Sequence, residues 1–152
     1  MDFIAPIWTF AEPWQLRLLV LIVLLNMALA LRLYGVMSKA RYAAVKKGEV
    51  DKEIFRATQA EPEQLAVYTR AVANQFEAPV LFYAVIAIGM ALGVTSWITV
   101  VLAAVYVALR WQHANEMIGE HNVLRRRQLF IWSFYALIAL MVELAISALL
   151  WA

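Results

Sequence analysis

The chain has 152 residues, of which 64% are hydrophobic and 16% are charged, and its formal net charge is +2. This composition lies outside the range of soluble domains and predicts one integral membrane domain over residues 1–152. The absence of cysteine excludes disulfide bonds, thiolate catalysis by the chain itself and cysteine-ligated metal centres. Because His113 and His121 match no metal-ligand spacing, we expect no metal site, and we expect no nucleic-acid partner.

The first segment of the chain is short and amphipathic, and a membrane helix follows it. Residues 1–12 include Trp8, and tryptophans near the start of a span are typical of an anchor at the membrane interface. Pro13 suits the first turn of a helix, and residues 14–37 are long enough to cross about 30 Å of hydrocarbon. Asn26 lies near the middle of this span, where we expect its amide to hydrogen-bond to a neighbouring helix.

The longest polar segment, residues 38–65, predicts a surface loop rather than a second domain. Within it, Gly48 is expected to end a short helix that continues the first span. The second span follows at about 66–92, and Pro79 inside it predicts a kink in the helix. Residues 93–96 then form a tight, uncharged turn.

The third span covers about 97–117, and a polar connection at 118–127 leads to the fourth span at about 128–151. Four spans with short connections predict an all-α, up-down-up-down four-helix bundle in the membrane. The basic residues concentrate in the connections after the first and third spans, which an even number of crossings places on one side. That side is expected to be cytoplasmic, with both termini outside.

Polar side chains interrupt the apolar second and third spans. Arg70, Asn74 and Glu77 are spaced i, i+4 and i+7, which places them on one face of a continuous helix. On the third span, Arg110 and His113 are one turn apart, and Arg110 is positioned to pair with Glu77. Charges at this depth are unfavourable unless they face one another, a partner helix or a water-filled cavity. These five side chains therefore predict a polar cluster near one membrane face.

From the residues alone, three interpretations of this polar cluster stay open. It can be an ion-pair network that fixes the register of the helices. It can be an anion pocket, in which the arginines of the cluster and the run at 125–127 hold carboxylates bidentately. It can be a proton or ion pathway through Glu77, His113 and Glu143, although Glu143 lies far along its helix from the cluster.

The run Arg125, Arg126 and Arg127 opens the fourth span. Such a run is typical of a topology signal that contacts phosphate headgroups. Successive residues on a helix point about 100° apart, so at least one of the three should turn inward toward the polar cluster.

Three features of these spans occur together. The second span carries Arg-x-x-x-Asn-x-x-Glu-x-Pro over residues 70–79, the third carries Arg110-x-x-His113, and an arginine opens the fourth. In these motifs, in span order and in length, residues 14–150 resemble the MAPEG family, the membrane-associated proteins of eicosanoid and glutathione metabolism. The stretch 74–83 looks most like a bacterial branch of that family, similar to microsomal glutathione transferases.

The resemblance implies a homotrimer in a bacterial inner membrane, with glutathione bound between neighbouring subunits near the cytoplasmic face. Carried over by position, Arg126 would be the catalytic residue near the thiol. The glutathione site would be lined by Arg70, Asn74, Glu77, Arg110, His113 and Arg127. A guanidinium near the sulfur favours thiolate over thiol, and the thiolate is the nucleophile. An apolar small-molecule substrate would enter directly from the membrane lipids.

The function that the resemblance implies is that of a glutathione S-transferase or peroxidase, which conjugates or reduces apolar substrates from the bilayer. The chain departs from the family pattern at three positions. Met117 and Phe130 stand where many glutathione-using members have tyrosine, and Ser38 stands in place of a basic residue. Because each change removes a polar contact to the peptide, the alternative is a non-catalytic member that binds a lipid or a protein partner.

Overall fold

The computed structural model describes residues 13–55, 61–119 and 122–151, so the predicted anchor at 1–12 and His121 lie outside the described residues. The described residues contain no strand, which confirms the all-α prediction. The α-helices are α1 (Pro13–Lys46), α2 (Glu63–Ala73), α3 (Ala78–Leu92), α4 (Trp97–Ile118) and α5 (Val123–Trp151), with a short 3₁₀ helix at Lys52–Phe55.

Within the described residues, three helical segments are long and apolar enough to cross a membrane, and they correspond to the predicted first, second and fourth spans. They are Trp14–Lys46, Glu63–Leu92 and Val123–Leu150. The predicted third span is also helical, as α4, but its last two turns carry Arg110, His113 and Glu116. These polar residues lower its hydropathy relative to the other three segments. The fourth crossing, and with it the up-down bundle, therefore stays a prediction.

Helix α1 continues beyond the predicted first span into the polar segment and ends at Lys46. Gly48 follows with a φ of 73°, and the amide of Glu49 donates to the carbonyl of Ala44 at 3.0 Å. A left-handed glycine directly after a helix with such a bond is typical of a helix C-terminus. The prediction that Gly48 ends this extension is confirmed.

The second span is broken rather than kinked. Helix α2 ends at Ala73, residues 74–77 are not helical, and Pro79 lies in the first turn of α3. Proline lacks an amide hydrogen and its ring clashes with the carbonyl four residues earlier, which here belongs to Gln75. The break therefore begins one turn before the proline. As a consequence, Arg70, Asn74 and Glu77 do not share one face of a continuous helix, as their spacing had predicted.

Helix α4 contacts α1, α2 and α5, and its most extensive packing is on α5. Near the end of the bundle where α1 leads into α2 and α4 leads into α5, a core cluster joins side chains of α1, α2 and α4. We call this end the basic end. The cluster consists of Leu29, Leu33, Met37, Ala71, Val72, Ala114 and Met117. It holds α2 against α4 at the level of His113.

A second core cluster joins α1, α3, α4 and α5 toward the opposite end of the bundle. Phe82 and Tyr106 stack in it with their ring centroids 4.6 Å apart. Beside it, the amide nitrogen of the buried Asn26 donates to the hydroxyl of Tyr83 at 3.0 Å. This bond between α1 and α3 confirms the predicted role of Asn26.

The end of the bundle opposite the basic end is closed by the turn between α3 and α4. Gly93 has a φ of 68°, and Ser96 caps α4 in a capping box with Thr99. Glu143 of α5 is buried against this cap and accepts hydrogen bonds from Ser96 Oγ at 2.6 Å and Thr99 Oγ1 at 3.0 Å. Glu143 lies about 25 Å along α5 from Arg126. That separation argues against a shared pathway with the polar cluster.

Candidate functional site

Two adjoining recesses open near the basic end. The α2 recess, of about 500 Å³, is lined by Glu63, Gln64, Val67, Arg70, Met117 and Arg126. The α5 recess, of about 380 Å³, is lined by Asn74, His113, Met117, Val123, Arg126, Arg127 and Phe130. Met117 and Arg126 line both, so the two recesses together form one groove divided by these two side chains. Four of the six residues that line the α2 recess are polar or charged, and the α5 recess has an apolar wall.

The first turn of α5 determines which arginine of the run enters the groove. Asn122 caps this turn, since its Oδ1 accepts from the amide of Arg125 at 3.0 Å. Arg125 points away and pairs with Glu116, its Nε 3.0 Å from the carboxylate. Arg126 lines both recesses and Arg127 lines only the α5 recess. The expectation that at least one arginine turns inward is thus met by Arg126, and Arg127 also reaches the groove through the α5 recess.

His113 fixes α4 to the start of α5 from inside the groove. Its Nδ1 lies 3.0 Å from the backbone carbonyl oxygen of Arg126, and its ring faces Phe130 with centroids 5.7 Å apart. Because a carbonyl oxygen only accepts, Nδ1 carries the hydrogen in this contact. The backbone position of Arg126, and hence the position of its guanidinium, therefore depends on the buried imidazole.

Arg110 lies beneath the groove rather than in it. It is 1% exposed, and its Nη2 donates to the carbonyl oxygen of Asn74 at 2.9 Å. The break in the second span leaves this carbonyl without a helical partner, and a guanidinium at the C-terminus of a helix is favourably placed in the field of the helix dipole. Arg110 thus stabilises the break, and the side chain of Asn74 is left to donate to Met117 Sδ at 3.4 Å.

The predicted pair between Arg110 and Glu77 does not form within the protomer. Glu77 is exposed at the N-cap of α3, makes no capping bond, and lies outside both recesses. Its carboxylate is near enough to Arg110 for an electrostatic interaction only. The ion-pair interpretation of the cluster is therefore wrong for this pair within the protomer, because the helix break leaves Glu77 exposed at the start of α3.

Most of the residues predicted for the site from the sequence are brought together. Five line the groove: Arg70, Asn74, His113, Arg126 and Arg127. Sequence reasoning did not include Glu63 and Gln64, although Glu63 precedes Arg70 by seven residues and so lies on the same face of α2. Extending the pattern of polar residues from Arg70 by two helical turns toward the start of α2 could have identified Glu63.

The groove offers three guanidinium groups that no carboxylate neutralises. Among the described residues, Arg70, Arg126 and Arg127 form no ion pair. The same part of the chain holds no group of three histidine or acidic side chains that could bind a metal ion. Arginines without carboxylate partners, together with one carboxylate, suit a ligand that carries carboxylates and an amine.

Long apolar helices and a groove lined by arginines define an integral membrane protein with a cationic groove. The model of the MAPEG family matches residues 16–146, which is most of the chain, and the chain belongs to that family. All residues of the groove lie within the matched range. No curated protein and no solved structure matches the chain.

Proposed function

We propose that the protein is a membrane glutathione S-transferase or peroxidase-like enzyme that conjugates or reduces apolar substrates from the bilayer. Membership of the MAPEG family suggests a function in glutathione or eicosanoid chemistry. The more specific proposal rests on the position of Arg126, between the charged side chains of the α2 recess and the apolar wall of the α5 recess. A thiol beside this guanidinium would be next to an apolar co-substrate.

The groove fits the chemistry of glutathione, which has two carboxylates, an ammonium group and a thiol. Arg70 and Arg127 supply guanidinium groups for carboxylates, and Glu63 supplies a carboxylate for the ammonium group. Bound glutathione would supply the nucleophilic sulfur. Arg126 would favour its thiolate form, because a nearby cation lowers the pKa of a thiol.

The apolar co-substrate would occupy the α5 recess. Val123, Met117 and Phe130 form its apolar wall, and Phe130 is stacked with Phe134 at a centroid distance of 6.4 Å. Phe134 is 45% exposed, so this aromatic surface continues from the recess toward the outside of the protomer. Such a surface favours entry of an apolar molecule from the membrane lipids rather than from water.

We also propose the assembly and orientation that the sequence suggests: a homotrimer in an inner membrane, with the basic end cytoplasmic and both termini outside. The basic residues at the ends of α1 and α4–α5 support this orientation. The exposed Glu77 and Arg70 support an assembly, because a lone protomer would present both charges on its surface next to apolar spans.

Glutathione binding tests this function directly. In detergent, titration calorimetry with glutathione should give saturable heat for the wild type and at least about a tenfold weaker affinity for Arg126→Gln, which corresponds to about 1.4 kcal/mol. Arg125→Gln is the matched control, since it removes the same charge one residue away but outside the groove. Equal affinities of the two variants, or no heat from the wild type with millimolar glutathione, would refute the proposal.

A second candidate function is a non-catalytic protein that binds a lipid or a protein partner. One contact favours it: Asn74 Nδ2 already donates to Met117 Sδ, so this amide is not free for a peptide ligand. A wild type that binds no glutathione, transfers no thiol to a panel of electrophiles and retains a lipid through purification would support this second function.

A further inference from the structure

An exposed arginine of α1 lies near one boundary of the apolar part of the bundle. The rings of Trp14 and Trp97 are 4.3 Å apart at the end opposite the basic end, and tryptophans of this kind mark a membrane interface. Arg32 lies about 27 Å along α1 from Trp14. Because the hydrocarbon layer is about 30 Å thick, the exposed Arg32 is placed near its other boundary, next to the headgroups at the basic end.

The side chain of Arg32 is oriented by α4 but has no counter-ion in the protomer. Its Nη1 donates to Asn115 Oδ1 at 2.8 Å, and its guanidinium carbon lies 5.5 Å from the centroid of the Trp111 ring. Trp111 is itself held to α1, since its Nε1 donates to the carbonyl of Leu25 at 3.2 Å. No carboxylate of the described residues pairs with Arg32. The guanidinium is thus held in place with donors to spare for an anion.

An exposed apolar surface continues from Arg32 along the contact between α1 and α4 toward the opposite end. The contact is crossed by the two hydrogen bonds from Arg32 and Trp111, and the residues beside it recur at helical spacing on both helices. We call this surface the α1–α4 strip. It consists of Leu21, Leu25 and Ala28 on α1 and Val101, Val105 and Ala108 on α4, all of them exposed.

The charge and the strip together match the shape and chemistry of a lipid. The strip extends about 16 Å along α1 from Arg32 to Leu21, and one leaflet contributes about 15 Å of hydrocarbon. At the boundary end, a guanidinium binds phosphate oxygens through parallel N–H donors. A zwitterionic lipid carries an ammonium group that competes for its own phosphate, whereas an anionic phospholipid leaves the phosphate charge to the protein.

We propose that Arg32, Asn115 and Trp111 form a binding site for an anionic phospholipid of the leaflet at the basic end. Arg32 and the amide nitrogen of Asn115 donate to the phosphate, the Trp111 ring supports the guanidinium, and one acyl chain lies along the α1–α4 strip. The site is separate from the groove, because none of its three residues lines either recess. It therefore requires neither glutathione nor catalysis.

Native mass spectrometry tests the headgroup part of this site. The protein in detergent is incubated with equimolar phosphatidylglycerol and phosphatidylcholine that have the same acyl chains. We expect the wild type to retain phosphatidylglycerol over phosphatidylcholine by at least about fivefold, and Arg32→Gln to lose this preference. Arg17→Gln is the matched control, since it removes the same charge from an exposed position at the other end of α1. Arg126→Gln should also keep the preference, which separates this site from a lipid held by the groove.

Thermal unfolding supplies a second readout that includes the strip. Phosphatidylglycerol should raise the Tm of the wild type by at least about 3 °C relative to phosphatidylcholine, and Arg32→Gln should abolish this shift. Ala108→Phe, which fills the strip, should reduce the shift. Ala139→Phe makes the same change at an exposed position of α5 and should leave it intact.

Several results would overturn the proposal. They are equal retention of both phospholipids by the wild type, an unchanged preference in Arg32→Gln, and equal effects of Ala108→Phe and Ala139→Phe. Retention of oleate in preference to phosphatidylglycerol would refute a phospholipid as the occupant. If the phospholipid results hold and no glutathione binds, only the proposed enzyme is refuted, and the reverse combination refutes only the lipid site.

Discussion

The buried carboxylate of Glu143 provides a sharp test of what stabilises the contact between α4 and α5. It is 6% exposed and accepts from Ser96 Oγ at 2.6 Å and from Thr99 Oγ1 at 3.0 Å, with Ser147 Oγ farther away at 3.3 Å. Ser96 is also the N-cap of α4, so the carboxylate lies at the positive end of that helix dipole. We predict that Glu143→Leu destabilises the protein and that Glu143→Gln does so less.

The expected magnitudes follow from the contacts that each variant keeps. A hydrogen bond to a charged acceptor contributes about 1.5–3 kcal/mol, whereas neutral bonds between membrane helices average about 0.6 kcal/mol. Glu143→Leu removes the acceptor of the two short hydrogen bonds, which should lower the free energy of unfolding by about 3 kcal/mol. Glutamine keeps an acceptor for Ser96 and should cost about 1 kcal/mol. The corresponding falls in Tm are about 6–12 °C and about 2–4 °C for a chain of this size.

Thermal unfolding in detergent, followed by circular dichroism, measures these differences. Ser147→Ala is the control at the same site, because it removes only the longest bond and should change Tm little. Burial of a carboxylate has a cost of its own, and an apolar replacement can offset that cost. If Glu143→Leu is as stable as Glu143→Gln or more stable, the desolvation cost outweighs the hydrogen bonds and this reasoning fails.

Three further predictions concern single positions. Arg110→Lys should lose the contact to the Asn74 carbonyl and lower the free energy of unfolding by about 1–2 kcal/mol, measured by denaturant titration in detergent. Gly93→Ala should lower the free energy of unfolding by about 1 kcal/mol, because Gly93 has a φ of 68°. Gly35→Ala should raise Tm slightly, because Gly35 lies in a helix with open space around it. Equal Tm values for the two variants would contradict this prediction. Under the proposed function, Met117→Tyr should tighten glutathione binding at least about threefold by calorimetry, and unchanged affinity would contradict a contact there.

The composition of the chain was sufficient to predict the apolar helices, but not the break in the second span. Pro79 is a visible signal, and it correctly predicted a distortion near the polar residues. Whether a proline kinks or breaks a membrane helix depends on whether the freed carbonyls find other donors. Here Arg110, 36 residues away in sequence, supplies that donor to Asn74, and no local pattern contains this information.

The position of Glu77 shows the limit of spacing arguments within the site. The i, i+7 relation to Arg70 assumes a continuous helix, and the break rotates Glu77 out of the groove onto the surface. A buried pair between Glu77 and Arg110 would have made Glu77→Ala strongly destabilising, because the variant would leave a buried charge unpaired. In an isolated protomer its exposed carboxylate should contribute little, about 0–1 kcal/mol.

The inward turn of Arg126 was predictable only in part. The 100° rotation between neighbours requires that three successive arginines diverge, which the sequence alone establishes. The choice among them depends on where α5 begins and on what holds its neighbours. Asn122 fixes the first turn and Glu116 draws Arg125 outward. The Asn122 cap is a local contact, but the pair with Glu116 is tertiary, because Glu116 belongs to the preceding helix.

The buried charges of this protein are stabilised chiefly by helix ends rather than by ion pairs. Arg110 lies at the C-terminus of α2 and Glu143 at the N-terminus of α4, and each end has the partial charge that favours it. Because α2 supplies the compensation for Arg110, no carboxylate is needed inside the polar cluster. Among the described residues, the guanidinium groups of Arg70 and Arg126 consequently form no ion pair, and Arg70 Nε donates only to the Ala66 carbonyl of its own helix at 3.4 Å. A groove whose cations are not neutralised by the fold keeps them for an anionic ligand, which is the property that the proposed function requires.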